Sequence, residues 1–141
     1  MKLATAQGLV DAALAHARSK SMNPLAIVVL DARGALKMAI AEDGTSLKRA
    51  EVAIGKAHGA VAMGLGSRTL YTRSQNQPSF IAAVTHAVGG LLVPVPGGVL
   101  VRSKNGELLG AVGISGDSSD NDEEAALAGI AAVGLVGDPG A

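Results

Sequence analysis

Apolar and polar positions alternate along the chain in two rhythms, one helical and one extended. Leu3, Ala6, Val10, Ala13, Leu14 and Ala17 recur at helical spacing. Asp11, Arg18 and Lys20 fall off that stripe, so residues 3–20 are predicted as an amphipathic helix. Pro24 ends it, because the residue before a proline is pushed out of the helical region. LAIVVL (25–30) is a short continuous apolar run, the mark of a strand covered on both faces. Asp31-Ala32-Arg33-Gly34 carries Asp and Gly at the first and fourth positions of a turn. ALKMAIA (35–41) follows as a second strand, close enough to pair as a hairpin.

Residues 46–64 form a second predicted helix. Ala50, Ala53, Ala57, Ala60 and Gly64 give it a smooth small-residue face, suited to lying close against a sheet. Ser67 to Tyr71 is expected to add one turn. Pro78 suits the first position of another helix, which Gly89-Gly90 stops. LLVPVPGG (91–98) is expected as a loop or edge strand, because two prolines cannot sit in a central ladder. VLVRS (99–103) and ELLGAVGI (107–114) are strands joined through Asn105-Gly106, a strong hairpin signal. A last helix is expected from about residue 121, with Asp120 and Glu123 at capping-box spacing. The closing GDPGA is expected to fray. The order α, β, β, α, α, β, β, β, α argues for one antiparallel sheet with helices packed on it, rather than a doubly wound fold.

Composition narrows the chemistry. The chain has 141 residues, enough for one domain that buries roughly two thirds of its surface. It has no Cys, which excludes disulfides, thiolate metal sites, iron–sulfur clusters and a cysteine nucleophile. Twelve basic residues balance twelve acidic ones, so no nucleic-acid partner is expected. Tyr71 and Phe80 are the only aromatics, which argues against base-stacking platforms and cation cages. No apolar run reaches about 20 residues, so no membrane span is expected. Gln7 and Asp11 interrupt any apolar leader, and the expected location is the cytoplasm.

Candidate chemistry is sparse. His16, His58 and His86 show no paired spacing for a metal, and the commoner use of each is a bonded or surface imidazole. A single neutral imidazole does suffice to ligate a haem iron. Met22, Met38 and Met63 are potential axial partners, although Met more often fills cores. Gly113-Ile114-Ser115-Gly116-Asp117-Ser118 leaves a strand and enters a helix. Its free amides suit an anion, and with no phosphate-loop Lys a carboxylate fits better than a nucleotide. The plainer reading is a capped glycine-rich turn. Asp117, Asp120, Asp122, Glu123 and Glu124 are acidic enough for a hard cation, but a solvated acidic helix start explains them better, and no metal site is assigned. Ser115 lacks the frame of a nucleophile elbow.

Four blocks resemble the GlcG/HbpS-like family, the haem-degrading domain also found at the C-terminus of PduO-type proteins. They are VVLDARGALKMAIAEDG (28–44), AIGKAHGAVAM (53–63), PGGVLVRSKNGELLGAVGISG (96–116) and NDEEAALAG (121–129). The resemblance covers nearly the whole chain, residues 1–141, as a single domain. It implies an α+β fold: a profilin-like α/β/α sandwich, with a five-stranded antiparallel sheet and helices on both faces. It also implies homo-oligomers from dimer to octamer, haem as a cofactor, and a place beside catabolic operons. The matching positions include Asp31, Gly34, Asp43, Lys56, Ala57, Gly97, Gly98, Gly113, Ser115, Gly116, Asp122 and Glu123. They are expected to gather where the strand-to-helix loop meets the Gly-Gly strand.

Three readings remain open. The first is a small-molecule-binding oligomer that binds or degrades haem, with His58, His16 or His86 on the cofactor. The second is a cytoplasmic catabolic enzyme that acts on a small organic acid by proton transfer, hydration or isomerisation. Its catalytic residues would be Lys56, Ser115 and Glu123, and Asp31, Asp43, Lys56, Gly97, Gly98, Ser115, Gly116 and Asp122 would bind the ligand. The third is a non-catalytic accessory oligomer.

Overall fold

The apolar run after Pro24 becomes β1 (Ala26–Asp31), buried until its last residue. The computed structural model describes all residues, 1–141. β1 lies between β2 (Leu36–Ala41) and β4 (Leu108–Ser115), and β3 (Gly98–Arg102) and β5 (Val136–Asp138) follow on the far side of β4. The five strands run in the order β2-β1-β4-β3-β5, antiparallel throughout. Ala26 pairs with Ser115 and Gly98 with Gly113. The start of β1, the end of β4 and the start of β3 therefore share one end of the sheet. Asp31 pairs with Gly110, roughly 16 Å away at the opposite end.

Strand alternation divides the core. Ile27, Val29, Val99, Val101, Val112 and Ile114 face α1 (Leu3–Ser19) and α5 (Ser119–Ala132). Val28, Leu30, Leu100 and Ala111 face α2 (Arg49–Met63), whose Ala53, Ala57 and Ala60 complete that side. The fold is thus the expected α+β sandwich, with helices on both faces of a five-stranded sheet. The small-residue face of α2 has a counterpart in the strands. A methyl group on Gly113 would collide with the Ala53 carbonyl, and one on Gly98 with the Lys56 carbonyl. Small residues on both partners bring the helix backbone onto the sheet.

α3 (Ser67–Asn76) and α4 (Pro78–Ala87) make a smaller cluster around Leu70, Ile81 and Leu92. α3 is a full helix rather than the single turn expected. No helix is long and apolar enough to cross a membrane.

At the sheet edge LLVPVPGG takes the loop alternative rather than the edge strand, and one expectation is corrected. LLVPVPGG supplies no strand before Gly98; residues 91–95 cross the back of α2. There Val93 N–H donates to the Gly55 carbonyl (3.0 Å), and Gly55 and Gly59 leave room for Val93 and Leu92. The fifth strand instead comes from the C-terminus, where fraying was expected. β5 pairs with β3, Arg102 Nε meets Asp138 Oδ2 at 3.3 Å, and Arg68 N–H donates to the Pro139 carbonyl (3.1 Å). α5 also begins earlier than expected. Its cap is Ser118, whose hydroxyl accepts from Asn121 N–H (3.2 Å), and Asp120 is engaged elsewhere.

Candidate functional site

Most of the sequence candidates meet at the end of the sheet shared by Ala26, Gly98 and Ser115. Lys56 points from α2 into this corner and is only 2% exposed. Its ammonium donates to the Ile114 carbonyl (2.8 Å) and to Asp122 Oδ2 (3.1 Å). Asp122, on α5, is 1% exposed, and its other oxygen accepts from Asp117 N–H (2.9 Å). Burial lowers the Lys56 pKa and raises that of Asp122, and the attraction between them opposes both shifts. The lysine reaches this corner because Gly97 has no side chain: a methyl group there would press on the Lys56 side chain and the Ile114 carbonyl. Gly97 also has φ +118, a left-handed conformation that favours glycine. Gly98 N–H donates to the buried Ser67 hydroxyl (2.7 Å).

Ser115 sits beside this pair, on the α2 side of the sheet and 1% exposed. Arg49 Nη1 approaches its hydroxyl at 3.4 Å, and Arg49 Nε donates to Ser46 (3.2 Å). Arg49 lines a polar cleft of about 300 Å³ with Pro24, Thr45, Ser46 and Gly116. Glu123 faces the other way. Both its oxygens lie 3.1 Å from Arg68 Nε, and Arg68 also pairs with Asp120 at 2.6 Å.

Not every candidate gathers here. Asp31 and Gly34 lie at the opposite end of the sheet, which corrects the expected cluster. The Asp31 carboxylate closes its own turn, accepting from Arg33 N–H (2.8 Å) and Ala35 N–H (3.0 Å). The Ala35 and Arg33 bonds hold its pKa below the usual carboxylate value. Asp43 is at the near end but exposed, in the loop between β2 and α2.

The three histidines occupy three separate places. His58, on α2, has Nδ1 2.8 Å from the Leu91 carbonyl. His86 is exposed near the end of α4. His16 lies on α1 against α5, with Nε2 3.6 Å from a Glu124 oxygen. That Nε2 is the one buried side-chain polar atom with no hydrogen-bond partner. Met22 and Met38 pack with the α1/α5 core and Met63 with the α3/α4 cluster. No three acidic or histidine side chains converge in a way that would hold a metal ion.

Arg49 and Arg68 were not singled out from the sequence, yet they organise this region. Arg49 lies seven residues before Lys56, two turns along one helix face, and that spacing was the available signal. Arg68 meets Glu123 only through tertiary packing, which no local pattern encodes.

A family model described as haem degrading protein HbpS-like matches residues 1–131. The chain belongs to the HbpS-like family. Among solved structures, PduOC in complex with haem is 27% identical, with 96% of each chain covered and a TM-score of 0.84. HbpS is 25% identical, covering 93% of this chain and 88% of that one, with a TM-score of 0.79. A protein of Klebsiella pneumoniae called ORFY shares the fold, at 20% identity over 95% of this chain and 90% of that one, with a TM-score of 0.84. No curated protein matches in sequence.

This HbpS-like chain has residues that suit a haem. Nε2 of His16 makes no hydrogen bond, with the Glu124 carboxylate 3.6 Å away, and an axial iron ligand must offer such a ring nitrogen. His58 spends one nitrogen on Leu91, leaving the other as its free donor site. The clefts of this HbpS-like chain, about 300, 290 and 400 Å³, sit at the low end for drug-sized ligands.

Proposed function

We propose that the whole chain, acting as a single HbpS-like domain, is a haem-binding protein that uses His16 as its iron ligand. The unpartnered Nε2 of His16 carries this reading. The haem complex of PduOC, similar over nearly the full length, supports it. When bound, the haem supplies the redox and oxygen chemistry of its iron. The protein supplies the ring nitrogen on a helix anchored in the core by Ala13 and Ala17. Glu124 lies over Nε2 now, but its side chain is half exposed and free to swing away.

The proposal includes self-association in the cytoplasm, in the dimer-to-octamer range. The apolar surface of α4 supports an assembly: of its ten residues only Ile81 is buried, and Phe80 and Leu91 beside it are open. Catalysis on an organic acid by Lys56, Ser115 and Glu123 is less favoured, because Asp122 and Arg68 already engage the two charged groups.

Hemin titration followed by absorbance tests the reading. A saturable Soret shift is expected in the protein and in the His58→Ala and His86→Ala variants, with loss in His16→Ala. A spectrum unchanged by His16→Ala would overturn His16 ligation, and absence of saturable binding would overturn the haem role.

A further inference from the structure

The polar cleft at the Ser115 end of the sheet has an unspent charge. Arg49 contributes a guanidinium to it, and no carboxylate lies in salt-bridge distance of that group. Two of the nearby acids are committed, and a third, Asp43, is exposed to solvent. Glu42 accepts from Leu25 N–H (2.8 Å) and pairs with Arg18 (3.2 Å). Asp117 accepts from Asn23 N–H (3.0 Å) and the Asn121 amide (2.6 Å). Behind Arg49, Ser115 is 1% exposed, and its hydroxyl proton has no acceptor within the protein. A guanidinium with no counter-ion thus lines the opening, and the Ser115 hydroxyl behind it accepts from Arg49 Nη1.

From this geometry we propose that the cleft is a binding site for a small monocarboxylate, seated on Arg49. The planar fork of Arg matches a carboxylate bidentately. The charge count selects the class. Arg49 is the one cation that lines the cleft, and with Arg18, Glu42, Asp43 and Asp117 the neighbourhood is net negative, so a dianion is repelled more than a monoanion. The rest of the lining has hydroxyls rather than apolar groups. Thr45 Oγ1 donates to the Glu42 carbonyl and keeps lone pairs for a ligand hydroxyl, and the Ser46 hydroxyl proton is uncommitted. A hydroxylated acid such as lactate therefore binds more tightly than acetate. This site is separate from His16, which lies on the opposite face of the sheet.

The test is an NMR titration of the amide and Arg Nε–H signals with lactate, acetate and inorganic phosphate, each at constant ionic strength. Saturable shifts centred on Arg49 Nε–H, Thr45 and Gly116 are expected with lactate, at a dissociation constant of about 1 mM or below. Arg49→Gln is expected to weaken lactate at least tenfold, Ser115→Ala to weaken it less, and Arg33→Gln, at a residue that pairs with Asp31 at the other end of the sheet, to leave it unchanged. Melting curves check that each variant is folded, and Arg49→Lys keeps the charge without the fork. Shifts spread over all cationic surfaces, no saturation with lactate, tighter phosphate than lactate, or lactate affinity untouched by Arg49→Gln would each overturn the proposal. None of these outcomes depends on haem.

Discussion

Lys56 Nζ lies 3.1 Å from Asp122 Oδ2, and the two residues come from helices on opposite faces of the sheet. The pair passes around the end of β4, where Ile114 contributes its carbonyl. It ties α2 to α5 without going through the core. Removing one partner leaves the other buried and uncompensated, a larger loss than the net worth of the pair. Lys56→Met is expected to cost about 3–5 kcal/mol in urea unfolding. Lys56→Met combined with Asp122→Leu is expected to cost less than the sum of the single changes, by at least about 1 kcal/mol. Strict additivity would mean that the two charges do not interact.

Asp117 gives the fold a dependence on acid. Hydrogen bonds from Asn121 and from the Asn23 backbone hold its pKa below the ordinary aspartate value of 3.8. A depressed folded-state pKa stabilises the protein above the unfolded value, and that stabilisation is lost as pH falls through the folded value. Asp117→Asn sets an amide donor against the Asn121 amide, much as protonation would. The variant is therefore expected to be less stable than the parent at neutral pH. The gap should close below 3.8, in paired urea melts across that range. A gap that stays constant with pH would assign the effect to shape rather than charge.

The seat of α2 predicts a contrast between two glycines. Gly113→Ala drives a methyl into the Ala53 carbonyl and the Ala57 side chain, and an over-packed interface costs up to about 3 kcal/mol. Gly64→Ala meets no neighbour and carries only the strain of its φ of +67, about 1 kcal/mol. Denaturation midpoints should rank the two variants in that order.

Hydrogen exchange should separate His58 from His16 without any cofactor. His58→Ala removes the contact that holds Leu91, so the amides of the 91–95 segment should lose protection. His16→Ala removes no hydrogen bond, and protection in α1 and α5 should change little. Loss of α1 and α5 protection in His16→Ala would make that imidazole a packing residue.

The parts of this fold that were legible in sequence are those where one short pattern decides. Asn105-Gly106 marked the β3–β4 hairpin, LAIVVL marked a strand covered on both faces, and the alanine stripe marked the helix that lies on glycines. β5 escaped because three residues, Val-Gly-Asp, carry no periodicity, and pairing with β3 makes them a strand. The proline-rich segment carried a correct warning against a central strand, but its seat over Gly55 and Gly59 is a tertiary fact. The site was half legible. Lys56, Gly97, Gly98, Ser115 and Asp122 do converge, but the charge of Lys56 is met by Asp122 rather than left for a ligand. Asp31 shares their family motif and lies at the other end, where it shapes a turn.

The three-residue length of β5 has a consequence for how the molecule survives crowding. β5 covers the outer edge of β3 from Leu100 to Arg102, beside the fully buried Val99, Leu100 and Val101. A strand so short opens locally far more often than the sheet as a whole. Each opening bares a row of unpaired amides beside an apolar run, a template for another chain. The anchors that close it, Arg102 to Asp138 and the Pro139 carbonyl on Arg68, thus act as gatekeepers against edge-to-edge aggregation.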